Sequence, residues 1–264
     1  TRRRAGGTGA FMTIDNYGGL AAVYDRLNAE IDYVRWAAYI QAQIAAHSDI
    51  PVSLVLDLCC GTGSMTLALD ALGYDMIGAD ISPDMLAVAR EKAAEAGRAA
   101  RILFLCQDMR ALELYGTVQA VTCTLDALNH VDGAGDLARV FALVHNYLEP
   151  GGLFLFDLNA PYKFEHVYGT NAYILEDDGI FCGWQNVYDP ARRVCDFYTT
   201  VFLRRSDGAW TRREDHEREY CFLREEIEEM LGKNGFSLIC VHGNTDGGEP
   251  LPDSQRLYFT AKRK

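Results

Sequence analysis

The residues best placed to do chemistry in this sequence are acidic, and three of them, Asp57, Asp80 and Asp108, stand where short apolar runs end. Asp57 opens the segment Asp57-Leu-Cys-Cys-Gly-Thr-Gly63, a Gly-rich turn between an apolar run and a helical pattern. Such a turn can hold a phosphate, a dinucleotide or an adenosyl amino acid, so its glycines alone decide little. The dinucleotide fingerprint Gly-x-Gly-x-x-Gly fails, because Gly61-Thr62-Gly63 continues into Ser64, Met65 and Thr66. The phosphate loop fails as well, since no lysine lies between Gly61 and Gly78. A carboxylate just ahead of the turn repels a pyrophosphate but favours the ammonium of an amino-acid moiety, directly or through water. Asp80 can accept both hydroxyls of a ribose, a role also found in dinucleotide enzymes. In Gln107-Asp108-Met109 the aspartate can accept from the exocyclic amine of adenine while a neighbouring backbone amide meets a ring nitrogen.

Two further segments carry polar candidates. In Thr124-Leu-Asp-Ala-Leu-Asn-His130 these are Asp126, Asn129 and His130. An imidazole near neutrality can take a proton from an oxygen or nitrogen nucleophile, although a histidine bonded to backbone where a helix begins reads equally well. Between Trp210 and Tyr220, strand alternation puts Arg212, Glu214, His216 and Arg218 on one face and Arg213, Asp215, Glu217 and Glu219 on the other. A strand this polar is an exposed edge or part of a polar roof over a ligand. His216 and Arg218 are taken as its candidate substrate contacts.

The elements that must position these residues follow from periodicity. From Asp15 to Ala46, Leu20, Val23, Tyr24, Leu27, Ile31, Val34, Ile40 and Ile44 recur at helical steps, giving one long helix or two broken near Asn28 to Asp32. Strands are expected at 53–58, 75–79, 101–106, 118–124 and 153–158, with helices at 64–72, 83–96 and 136–148 between them. The helix from Pro83 to Ala96 has the clearest limits, with Ser82 as N-cap, Pro83 at the first helical position and Gly97 past its end. This alternation implies a parallel sheet with right-handed crossovers, whose ligands sit at the carboxyl ends of the strands. Aromatic-rich extended runs at 172–176, 181–188, 194–204 and 210–221 then predict an antiparallel insertion. A helix over 223–233 and strands at 236–242 and 255–261 close the main sheet.

Bulk properties bound the function. The 264 residues are 49% hydrophobic and 23% charged, within the range of folded globular chains. A net charge of −12 lacks the field that attracts phosphate backbones, so nucleic acid and anionic membranes are disfavoured as partners. The pairs Arg192-Arg193, Arg204-Arg205 and Arg212-Arg213 read as solvated faces. The eight cysteines include no Cys-x-x-Cys pair, so no metal site is expected, and Cys59, Cys106, Cys123 and Cys240 read as reduced core residues of a cytoplasmic protein. No apolar stretch suits a signal peptide or membrane span. Residues 1–11, basic and Gly-rich, are expected to form a disordered tail.

Four segments, Val55-Leu-Asp-Leu-Cys-Cys-Gly-Thr-Gly-Ser64, Gly78-Ala-Asp-Ile-Ser-Pro-Asp-Met-Leu86, Cys106-Gln-Asp-Met109 and Leu148-Glu-Pro-Gly-Gly152, resemble in order and spacing the successive motifs of class I S-adenosylmethionine-dependent methyltransferases. Tyr24-Asp25, Asp32-Tyr33 and Trp36 are similar to the N-terminal helices of a bacterial group with a β insertion after the fifth strand, so the resemblance covers nearly the whole chain from about Tyr17. One departure is Cys59, where most members have glycine. The resemblance implies a Rossmann-like α/β fold: a seven-stranded, mostly parallel sheet with its last strand antiparallel, an N-terminal helical lid and the insertion. It divides the chain into a cofactor domain of residues 12–160 and 222–264 and a substrate roof of residues 161–221. It implies an enzyme with S-adenosylmethionine as cofactor, bound by Tyr24, Tyr33, Trp36, Asp57, Cys59, Gly61, Gly63, Asp80, Ile81, Met85, Gln107, Asp108, Met109 and Leu125. The three aromatics could instead only pack the helices, but their faces suit a sulfonium by about 0.5–2 kcal/mol. Asp126, Asn129 and His130 fall where cofactor and acceptor meet. The expected partner is a small-molecule acceptor of a methyl group on N or O, bound by a monomer or homodimer. Methyl transfer to protein or RNA and a non-catalytic cofactor-binding regulator are the alternatives.

Overall fold

The computed structural model describes Ala21 and residues 23–264; the expected tail at 1–11 and the start of the first helical pattern lie outside the described residues. The N-terminal helical pattern divides into α1 (Tyr24–Leu27) and α2 (Tyr33–His47), with the break at the Asn28-to-Asp32 segment. Asp32 stops the chain there because its carboxylate caps α2, accepting from the Arg35 amide at 2.9 Å. The alternating core follows as β1 (Leu54–Leu58), α3 (Ser64–Ala71), β2 (Asp75–Asp80), α4 (Pro83–Glu95), β3 (Leu103–Cys106), β4 (Val118–Cys123), α5 (Ala134–Tyr147) and β5 (Leu148–Asn159). Ser82 caps α4 through the Met85 amide, with Pro83 in its first turn. Four antiparallel strands come next, β6 (Ala172–Asp177), β7 (Ile180–Asp189), β8 (Val194–Arg204) and β9 (Trp210–Tyr220), then α6 (Arg224–Lys233), β10 (Phe236–His242) and β11 (Arg256–Arg263).

The main sheet has seven strands in the order β10-β11-β5-β4-β1-β2-β3, parallel except for β11, which runs antiparallel to both neighbours. Strand order reverses between β4 and β1, and this switch point opens a crevice at the carboxyl ends. Period-2 alternation fills both faces. Leu56, Leu58, Phe154, Phe156 and Leu158 join Phe141 of α5 and Ile227 of α6 on one side. Val55, Leu153 and Leu155 meet Trp36 and Ile40 of α2 and Leu69 of α3 on the other. The four-stranded sheet packs Cys195 and Phe197 of β8 on Phe164 and Tyr168, which lie on a π-helical turn, Lys163–Tyr168, that periodicity gave no sign of.

All eight cysteines are free thiols, and not all are core residues: Cys123 is buried, Cys59 and Cys240 are half-buried, and Cys106, the last residue of edge strand β3, is exposed. No helix among the described residues is long and apolar enough to cross a membrane.

Candidate active site

A cavity of about 1000 Å³ lies over the carboxyl ends of the parallel strands, walled by α1, α2, the loops after β1 to β4, the four-stranded sheet and β11. The turn after β1 shapes its floor. Cys59 and Gly61 both have left-handed backbone, with φ of 60° and 53°, and both line the cavity. Cys59 thus carries conformational strain of about 1 kcal/mol or more at a place where glycine would carry none. A Cβ on Gly61 would meet nothing within 4 Å, so its backbone is open to a ligand. Gly63 lies beneath the turn as the N-cap of α3 at φ 75°, off the cavity wall, where an added Cβ would come within 3.0 Å of the Ala89 side chain. Gly63→Ala should therefore lower stability by about 1–3 kcal/mol through strain and crowding, readable in urea denaturation; an unchanged midpoint would contradict it.

The carboxylates divide in their roles. Asp80 ends β2 on the cavity wall, its Oδ2 accepting from the Gly61 amide and its Oδ1 from the Ser82 amide, both at 2.8 Å. Each oxygen keeps a second lone pair for a hydroxyl donor. Asp57 is 1% exposed and turned away from the cavity, on the α3 face of β1. Thr66 donates to its Oδ2 at 2.6 Å and Thr122 to its Oδ1 at 2.9 Å. Burial nonetheless pushes its carboxyl up to about 6. The expected direct contact of Asp57 with an ammonium is corrected here: Asp57 braces the turn by tying β1 to α3 and β4. Asp108 lines the cavity, but Arg110 grips both its oxygens at 2.7–3.1 Å and holds the carboxyl below its usual range. Gln107 is also corrected, since its amide pairs with both backbone groups of Glu113 and does not reach the cavity.

Ile81, Met85, Met109, Leu125, Tyr24, Tyr33 and Trp36 all line the cavity. Burial raises Tyr33 to about 12 and Tyr24 higher still, so both present neutral phenols. The face of Trp36 already meets a cation, the Arg256 guanidinium at 5.7 Å. Helix α1 is fastened beside the turn: Asp25 accepts from Thr62 at 2.6 Å and pairs with Lys92 at 2.6 Å, while Arg26 bridges to Asp177 on the four-stranded sheet.

Opposite the turn, β4 runs into two consecutive left-handed residues, Leu125 (φ 61°) and Asp126 (φ 54°). Asp157, next to last but one in β5 and 1% exposed, holds this strained turn by accepting from both amides at 2.8 and 2.9 Å. Asp126 thereby projects into the cavity and pairs with Arg256 at 2.7 Å, and the same guanidinium binds Asp157. Burial would raise Asp126, but the charges of Arg256 and Lys163 outweigh it and keep the carboxylate strongly acidic. His130 lines the same region. Asn129 does not: fully buried, it donates to the Tyr220 carbonyl and accepts from the Asn159 amide, so its candidacy as a catalytic group gives way to a bracing one.

Strand β9 is an edge, as its polarity suggested, and also borders the cavity. His216 and Arg218 both line it, as expected of substrate contacts, but both are already engaged by Asp196, His216 at 2.9 Å and Arg218 through two bonds of 2.8 and 3.0 Å. Glu219 and Glu217 share the inner face with their register partners Cys195 and Phe197. Glu219 is 4% exposed and accepts from Asn159 at 2.7 Å; Lys163 donates to the same Asn159 at 2.9 Å and sits 4.8 Å over the Tyr168 ring. Asp126, His130 and Glu219 offer ligand atoms within 4.8 Å of one another, but Arg256 and Lys163 already supply positive charge to these carboxylates, and a metal ion would compete with them. Arg256 and Lys163 went unnoticed in the sequence, and Glu219 was named there only as part of the face opposite His216 and Arg218. The one available signal for Glu219 was its place opposite apolar Cys195, which only strand register reveals.

Residues 55–152 match the family described as "Methyltransferase domain". The chain is 32% identical over 248 residues to "Putative methyltransferase YqeM" of Bacillus subtilis (strain 168), covering 94% of this chain and 97% of that protein. It belongs to the class I S-adenosylmethionine-dependent methyltransferases. A crystal structure of an S-adenosylmethionine-dependent methyltransferase from Clostridium acetobutylicum ATCC 824 superposes on this methyltransferase with a TM-score of 0.84 at 27% identity, covering 94% of this chain and 98% of that one. The methyltransferase is also 27% identical over 240 residues to the dTDP-3-amino-3,6-dideoxy-alpha-D-glucopyranose N,N-dimethyltransferase of Streptomyces fradiae, covering 88% of this chain and 89% of that enzyme. The enzyme's cofactor is that of its family, S-adenosylmethionine.

Proposed function

We propose that this enzyme methylates an N or O atom of a small molecule. The observation that carries the reading is the cavity itself, whose cofactor side is formed by strand ends and whose far side is closed by the four-stranded sheet with Tyr168, Trp184 and Phe197 in its wall. Its volume of about 1000 Å³ matches a small-molecule site. The net charge of −12 favours the same class, and so does the amino-sugar nucleotide in the name of the Streptomyces fradiae relative.

The residues present fit the cofactor. Asp80 keeps lone pairs for two ribose hydroxyls, the backbone at Cys59 and Gly61 opens toward an amino-acid moiety, and Ile81, Met85, Asp108 and Met109 would hold the adenine. The bound cofactor supplies a methyl already activated on a sulfonium. The protein's part is to align an acceptor lone pair with that methyl and to exclude water, and orientation can contribute about 7–11 kcal/mol in favourable cases. In this reading residues 161–221 form the acceptor side of the site, and α1, fastened by Asp25, covers the cofactor.

Asp80→Ala should weaken S-adenosylhomocysteine binding by about 1.5–3 kcal/mol, tenfold or more, because it removes a charged acceptor. Calorimetry showing less than a threefold change would refute the ribose assignment. The acceptor class is tested by incubating the full chain with methyl-labelled cofactor and a cell extract split by size. Label is expected among small metabolites; label confined to protein or RNA would overturn the reading.

A further inference from the structure

Glu219 is held differently from Asp126 and Asp157 near the same end of the cavity. Asp126 and Asp157 share the Arg256 guanidinium, whereas Glu219 is held by a neutral amide, Asn159, at one oxygen. Among the described residues its Oε1 takes no hydrogen bond. It sits on the inner face of β9 in the cavity wall, beside the aromatic cluster of Tyr168, Trp184 and Phe197. The Trp184 indole Nε1 is itself buried without a partner among the described residues. An acidic group backed by aromatic faces suits a cation.

We propose that Glu219 accepts the proton of an amine acceptor, so that the molecule methylated is an amine bound as its ammonium against β9. The inference rests on the small-molecule reading above. The Glu219 carboxylate takes a proton from the ammonium and becomes the neutral acid. The freed nitrogen lone pair forms the bond to the methyl carbon while the carbon–sulfur bond breaks, its electron pair staying on sulfur, so that S-adenosylhomocysteine and a methylated ammonium result. His130, within 4.8 Å of Glu219, offers the proton a way out.

The surroundings tune the acid for this task. Burial first, then the charge of Asp126, pushes the Glu219 carboxyl up to about 8, while the Asn159 bond and the charges of Lys163 and Arg256 act the other way. Tyr168 and Cys195, which also face it, are themselves raised by burial and stay neutral. An acid near 8 lies roughly two units below an ordinary alkylammonium at about 10.4, a transfer within reach. A hydroxyl proton is far less acidic and would be a poor match.

The test compares the wild-type full chain with Glu219→Gln, which preserves size and the bond from Asn159. A metabolite extract is supplied untreated or after acylation of its amines. We expect labelled product from the untreated extract only, and a loss of 30-fold or more in Glu219→Gln at pH 7, within the usual range for a general base, with S-adenosylhomocysteine affinity unchanged within twofold. Labelling that survives acylation, or a variant within threefold of wild type, would overturn the proposal and leave the small-molecule reading standing. An extract giving no labelled small molecule would remove that reading and the proposal with it. Infrared difference spectra supply a readout apart from activity: the protonated-carboxyl band of wild type, absent in Glu219→Gln, should be present at pH 6 and gone at pH 10. Its absence at pH 6 overturns the proposal.

Discussion

Arg256→Met is expected to destabilise the fold by roughly 3–5 kcal/mol at pH 7, the range for removing one partner of a buried ion pair. The effect is large because a single guanidinium answers two carboxylates, Asp126 and Asp157, and the second is 1% exposed. Methionine keeps much of the packing against Trp36 and Tyr258 but removes the guanidinium that binds both carboxylates, leaving Lys163 as the nearby cation. Asp157 also holds the left-handed pair Leu125 and Asp126, so the damage reaches the cavity wall. The sign with pH follows from the same geometry. Without Arg256, Asp126 loses the main charge that keeps it low and Asp157, which burial already raises, rises further, so the variant regains stability as pH falls and the carboxyls take up protons. Urea denaturation at pH 7 and pH 4.5 checks both points. A deficit under 1 kcal/mol at pH 7, or one that does not shrink at the lower pH, would show that the ion cluster contributes little.

The fold was largely readable because it is written in local periodicity: apolar runs of strand length, helices with caps such as Ser82 and Asp32, and turns at Gly61 and Gly97. The cofactor side of the cavity was readable for a related reason. Its residues follow strand ends in short contiguous motifs, so Asp80, Ile81, Met85, Asp108 and Met109 could be found without knowing what packs against them. Even there, the direction of a side chain escaped notice. Asp57 and Gln107 look like ligands in sequence, yet strand alternation turns one to Thr66 and Thr122, and a loop hydrogen bond turns the other to Glu113.

The far side of the cavity is assembled from long-range pairings that no local pattern encodes. Arg256 meets Asp126 across 130 residues, and Asn159 meets Glu219 across 60. In β9 the sequence offered two polar faces of equal merit, and only the register with β8 decides between them. The face that holds the histidine and arginine looked more like a substrate site, and both residues do line the cavity, but Asp196 on the neighbouring strand already binds both. The inward face holds the acids, and there burial turns a common glutamate into an unusual one.

That burial gives the last prediction, a stability measurement that needs no acceptor. The Glu219 carboxyl stands at about 8 in the folded chain, against its ordinary 4.5. Between those two values the folded state retains a proton that the unfolded state has released, so stability is full below about pH 4.5 and declines as pH rises toward 8. Glu219→Gln carries no proton to lose and escapes this decline. Relative to wild type, the variant should therefore gain stability between pH 5 and pH 9. The whole shift at about 1.4 kcal/mol per unit sets a ceiling near 5 kcal/mol. Repulsion from Asp126 disappears with the charge, but so does the attraction of Lys163 and Arg256, and the measurable gain should be on the order of 2 kcal/mol, or about 5 °C in Tm. Melting curves for the two proteins that run parallel from pH 5 to pH 9 would mean that Glu219 titrates as an ordinary surface acid. A gap that opens with pH would show the fold spending stability to keep a proton-accepting group in the cavity wall.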